Sequence, residues 1–241
     1  MDALWRQWWR MGGVFGLGFI ILFIIGPFIL TGETPSRGDS VEDIRKYFQD
    51  DGEMYLVGDY IAGIAFVLFF LPYLVTLRWV LGSGEGWPPI WSWLTVIGGL
   101  SLVLVGGTSS VFLGTLAINA DYAEQLDDPS VRLLMEMNTY AFTTGFGFTM
   151  SLFVGSASLV ILRTGVLWRW LAALGLLAAV FLIIGAAWPI DGDEEGAIAV
   201  FGLIGSAGGA LFVLISSINL LMLKDEPSPT ERAGSPSTIV T

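Results

Sequence analysis

The amino-acid sequence predicts an all-α polytopic membrane protein, a six-transmembrane-helix bundle with a short amphipathic helix in the first outer loop. Three observations predict it. Of the 241 residues, 54% are hydrophobic in type and mean hydropathy is +0.71, more than the surface of a water-soluble globule tolerates. Apolar runs of about 20 residues recur, each long enough to cross roughly 30 Å of hydrocarbon. The runs are continuous, whereas the strands of a membrane barrel would alternate over about 10 residues.

The first run covers 11–30 and follows Arg6 and Arg10. It exceeds the apolar core of a cleaved signal, about 7 to 15 residues, and leads into Thr31, Gly32 and Glu33, so it reads as a retained span. The loop 31–54 has room for structure of its own. Ser40 can cap a helix with Asp43 three positions on, in the manner of a capping box, and Val41, Ile44, Tyr47 and Phe48 then share one face. Two to three turns are expected there, packed on the tops of the bundle helices or closing over a binding site. The second run, 55–81, contains Pro72, whose missing donor and ring clash should bend it. The remaining runs are 91–120, 133–162, 170–188 and 197–223. Asp128 before Pro129 reads as the cap of the fourth helix, and Asp193, Glu194 and Glu195 place negative charge at the positive end of the sixth. The domain therefore covers 1–223, and the tail 224–241, rich in Pro, Ser, Thr and Glu, is expected to be disordered.

Six spans put both termini on one side. That side carries seven basic residues (Arg6, Arg10, Arg78, Arg163, Arg169, Lys224, Arg232) against four on the other (Arg37, Arg45, Lys46, Arg132). The excess of positive charge predicts a cell-membrane protein with both termini cytoplasmic. Carboxylates sort more sharply, with five inside and seventeen outside. Nine of the ten tryptophans fall at the inner boundary and five of the six tyrosines toward the outer one. Both residue types settle at membrane interfaces, so they support the same topology.

The order of segments also carries a resemblance. A first span and an outer loop are followed by Tyr47-Phe48-Gln49-Asp50-Asp51 running into Leu56-Val57-Gly58-Asp59-Tyr60 at the head of span two. Over roughly 12–223 the chain resembles a family of prokaryotic six-helix integral membrane proteins classed as a domain of unknown function, the family numbered 4386. The resemblance implies the six-helix fold and no catalytic residues.

Composition excludes much chemistry. With no cysteine and no histidine there is no disulfide, thiolate nucleophile, histidine-held haem or zinc, or imidazole base. Lys46 and Lys224 lie outside the apolar runs, so no buried lysine is available for a Schiff base. No basic patch suits nucleic acid. The acidic loops, including Asp121, Glu124, Asp127, Asp128 and 191–195, lack the ligand spacing of an EF-hand, and no metal or other cofactor is expected.

Two patterns remain. Small residues recur every four positions at Gly12 and Gly16; Gly106, Ser110 and Gly114; Gly147, Ser151 and Gly155; Gly202, Ser206 and Ala210; and Gly205 and Gly209. Such stripes let helices approach closely, either within the bundle or against a second copy or another membrane protein. Ionisable groups in spans are costly and mark candidate sites. Asp59 and Glu136, each about a turn inside the outer boundary, could form a polar vestibule with Asn119, Asn138, Thr143 and Thr144. Snorkelling and helix-to-helix hydrogen bonding are the plainer use of the same residues. The expected role is non-enzymatic: accessory, sensory or membrane-organising. The alternative is a small transporter or channel opening outward at Asp59 and Glu136, which would need a polar path continuing to Ser216, Ser217 and Asn219.

Overall fold

The computed structural model describes residues 2–118, 125–191 and 196–223, and among them all regular structure is helical. Asn119, the charges 193–195 ahead of the last helix and the tail 224–241 lie outside the described residues. Helix α1 comprises Asp2–Ile24 and a π-helical continuation, Ile25–Leu30. Then come α2 (Val41–Glu85), α3 (Ile90–Ala117), α4 (Asp128–Thr164), α5 (Arg169–Gly185) and α6 (Ala197–Met222). All but α5 are long and apolar enough to cross a membrane, and the chain is an all-α bundle of the membrane-embedded, multi-pass kind. Helix α5 stops short of the expected 188. Pro189 cannot continue a helix, and Trp188–Asp191 forms a separate turn instead.

The expected short helix of the first loop exists but is not separate. Ser40 caps it as the sequence predicts, its Oγ accepting from the Asp43 amide at 3.1 Å, and the helix then runs without a break through the second span. Nothing between Phe48 and Tyr55 breaks a helix except Gly52, and Gly52 is used for packing. A Cβ there would lie 3.4 Å from the Ala117 carbonyl oxygen, so glycine lets α2 lie close against the end of α3. At 1.5 Å per residue α2 is roughly 65 Å long, about twice the hydrocarbon thickness. Its first turns therefore project beyond the apolar region, as do those of α4. There Ile44, Phe48 and Tyr55 pack with Leu113, Leu116, Val131 and Met135 in a second hydrophobic cluster.

Pro72 is absorbed rather than broken around. A π-helical stretch, Ala65–Phe70, lies just ahead of it, widening the helix where the proline ring would meet the preceding turn. The Thr76 hydroxyl donates back to the Pro72 carbonyl at 2.9 Å. A third π segment, Ala141–Gly145, interrupts α4. At the far end of α4, Gly165 turns left-handed at φ +66° and its amide closes on the Ile161 carbonyl, ending the helix.

Each helix packs on its sequence neighbour and α1 closes on α6, so the six form a ring, with α4 also touching α2 and α6 across the middle. Small residues set the approach. A Cβ at Gly98 of α3 would fall 2.5 Å from the Phe153 nitrogen of α4, and one at Gly185 of α5 would run into Gly202 Cα of α6. Phe70, Tyr73, Phe153 and Phe212 fill the centre, and the Tyr73 hydroxyl meets Ser216 Oγ at 2.6 Å. Arg78, Glu85, Arg163 and Arg169 collect at one end of the ring, the basic end. The starts of α2 and α4 carry most of the described carboxylates at the other.

Candidate functional site

The acidic end is tied together by three arginines. Arg37 Nε donates to Glu136 Oε1 at 2.9 Å. Arg132, one turn before Glu136 on α4, donates to the carbonyls of Arg37 and Asp39 at 2.7 and 2.9 Å. Arg45 of α2 donates to the Leu126 carbonyl at 2.6 Å and pairs with Asp128 at 2.7 Å. The loop ahead of α2 is thereby held down on α4 by groups almost 100 residues away in sequence. Tyr47 adds a bond from its hydroxyl to the Thr31 carbonyl at 2.6 Å. Burial first, and the charge of Asp51 second, push its pKa up to about 12, so it remains a donor.

The cap of α4 is Asp127, one residue earlier than the sequence suggested. Its carboxylate accepts from the Ser130 amide at 3.1 Å, which leaves Asp128 and Pro129 in the first turn. Hydrogen bonds from the Ser130 side chain, and then from its backbone, hold the Asp127 carboxyl below the ordinary value of 3.8.

The vestibule expected from Asp59, Asn119, Glu136 and Asn138 is not assembled by the described residues. Glu136 is engaged with Arg37. Asn138, two positions on, points about 200° away around the helix, where its Oδ1 accepts from Ser109 of α3 at 2.6 Å. Thr143 donates within its own helix to Thr139, and Thr144 bridges α4 to the Ala186 carbonyl at 3.0 Å. The Asn138 and Thr144 bonds fasten α4 to its neighbours, the plainer of the two uses. Ser216 and Ser217 are likewise spent, on Tyr73 and on the Val213 carbonyl, inside the central core.

Asp59 stands apart. It is half-buried on α2, and among the described residues no cation or hydrogen-bond donor pairs with its carboxylate. It lines a groove of about 450 Å³ between α2 and α3, together with Ala62, Gly63, Phe66, Gly106, Gly107, Ser110 and Gly114. The groove opens on the outside of the ring, where its walls Val67, Val111 and Ile118 are exposed. Glu136 and Asn138 do not line it.

The floor of this groove is the Gly106, Ser110 and Gly114 stripe, and it differs from the other stripes. A Cβ at Gly12, Gly16, Gly147, Gly205 or Gly209 would meet atoms of another helix at 3.0 Å or less. At Gly63, Gly107 and Gly114 it would meet nothing within 4 Å, and at Gly106 only the Phe66 ring at 3.5 Å. Four-residue spacing marked the stripe in sequence, but spacing does not say whether a helix is already seated on it. Among the described residues no three carboxylates converge as a metal cluster would need. No protein-family model matches this chain, and no curated protein or solved structure does.

Proposed function

We propose that the chain is a non-enzymatic accessory or membrane-organising protein that seats a transmembrane helix of another protein in the groove between α2 and α3. The observation that carries this is the open glycine floor at Gly63, Gly107 and Gly114, with a carboxylate at one end of the groove that has no partner among the described residues. In lipid, helix association depends on close packing of small residues rather than on hydrophobic drive. A face of glycines left unfilled by its own bundle is suited to that. Asp59 selects the occupant: a helix bearing Lys or Arg near the matching end would neutralise a charge that is costly to hold alone. A second copy fits less well, because Arg37, Arg45 and Arg132 at the same end are already engaged and Lys46 lies more than three helical turns from Asp59 along α2. The transport alternative is weakened by the engagement of Glu136 with Arg37.

Two further parts of the proposal rest on sequence. Membership of the six-helix family of unknown function is supported by the order of segments. A cytoplasmic-membrane location with cytoplasmic termini is supported by the gathering of Arg78, Arg163, Arg169 and their neighbouring tryptophans at one end of the ring. The groove is tested by photo-cross-linking in native membranes. A photoreactive side chain at Gly107 should form a protein adduct that disappears when Gly63→Leu narrows the groove, while one at Leu203, exposed on α6, should form none. Proton or cation flux through vesicles of the pure protein, lost in folded Asp59→Asn, would instead favour transport.

A further inference from the structure

The basic end of the ring holds an arginine with no anionic partner among the described residues. Arg78 lies on the last turns of α2, and its guanidinium carbon sits 4.6 Å from the centre of the Trp93 ring on α3 and 5.8 Å from that of Trp79. Arg163 of α4 lies 5.4 Å from the centre of the Trp91 ring on the same first turn of α3. Within 76–93 and 160–172, the ends and turns of α2 to α5 on this side, three arginines face one carboxylate, Glu85. That carboxylate is spent on the start of α3: its two oxygens accept the Trp91 and Ser92 amides at 2.7 and 2.9 Å. The positive end of the α3 dipole is thus already satisfied, and Glu85 is turned to it rather than to Arg78. Among the described residues no carboxylate pairs with Arg78, and its Nε is buried without an acceptor. Gly82, one turn on, presents no side chain beside the guanidinium; a Cβ there would stand 3.5 Å from Nη1.

We propose that Arg78 and the Trp93 face form a binding site for the phosphate of an anionic phospholipid headgroup. An arginine held over an aromatic ring has its planar guanidinium positioned with the outer N–H donors in one plane, the arrangement that grips phosphate oxygens in pairs. The tryptophans set this ring of residues at headgroup depth, where such phosphates are found. An arginine at that depth with no carboxylate partner among the described residues takes its anion from the bilayer through its outer Nη donors, which unlike Nε are not enclosed without a partner. The site is separate from the α2/α3 groove, whose described lining does not include Arg78, and it does not rest on the function proposed for that groove.

Native mass spectrometry of the full chain, from micelles holding equal amounts of phosphatidylglycerol and phosphatidylcholine, tests it. The native protein should retain phosphatidylglycerol preferentially. Arg78→Gln should lower that retention roughly ten-fold, the scale of one charge-assisted contact, while Arg78→Lys, a point charge without the planar fork, should fall between. Trp93→Leu removes the platform, keeps the charge, and should also weaken retention, which covers the case of an Arg78→Gln chain that does not fold. Equal retention of the two lipids, or undiminished retention in folded Arg78→Gln, would overturn the proposal. So would displacement of the lipid by millimolar inorganic phosphate, which would make this a site for the free anion.

Discussion

Arg37 Nε stands 2.9 Å from Glu136 Oε1, joining two residues 99 positions apart and fixing the loop ahead of α2 to the first turns of α4. Both side chains are more than a third exposed, at 36% and 39%, so water screens the pair and its worth is about 0.2–1 kcal/mol. Glu136→Gln should therefore lower thermal stability in detergent only slightly. Arg132→Met removes two bonds to loop carbonyls, each worth about 0.5–1.5 kcal/mol net, and should cost more than Glu136→Gln in the same melt.

The Asp127 cap makes stability depend on acid. Its folded pKa lies below the unfolded value, so its contribution is complete above about pH 4 and is lost as pH falls through the folded value. Asp127→Asn keeps a capping oxygen but cannot titrate. Acid unfolding of the two proteins should show native ahead of Asp127→Asn near neutrality, with the gap closing below pH 4.

Gly147 and Gly107 should separate sharply. A Cβ at Gly147 meets Ala186 Cβ and the Leu182 carbonyl at 3.0 Å, so Gly147→Leu must push α5 away, a strain of about 1–3 kcal/mol or more. Gly107→Leu meets open space and should leave the melting temperature of the isolated protein unchanged.

That contrast also marks what the sequence could and could not say. Six helices, five of them long and apolar enough to cross a membrane, the Ser40 cap and the crowding at Gly12, Gly16 and Gly147 follow from hydropathy, cap chemistry and four-residue spacing, all of them local. The fusion of the Val41 helix with span two is not legible from hydropathy, because the polar stretch 49–54 separates the two apolar patterns, and only the close approach of Gly52 to Ala117 shows what the helix packs against there. The partner of Glu136 was missed for the opposite reason: Arg37 is adjacent only after four helices have folded into a ring. The sequence marks Asp59 as an ionisable group at the edge of an apolar run, but grouping it with Glu136 and Asn138 assumes that residues at one depth share one face.

Tyr73→Phe should measure the central hydrogen bond to Ser216. Both side chains are fully buried, so losing the hydroxyl leaves the serine with its own-helix Val213 carbonyl and should cost about 0.5–1.5 kcal/mol without altering the assembly.

The groove between α2 and α3 is tested most directly by the size of the particle extracted from native membranes in mild detergent, compared between native protein and Gly107→Leu of equal thermal stability. Native protein should run as a complex larger than the detergent-bound 26.1 kDa chain and contain a second polypeptide, while Gly107→Leu should run as the chain alone. A native protein that already runs alone, or a Gly107→Leu protein that keeps its partner, would contradict the seating of a helix on this face.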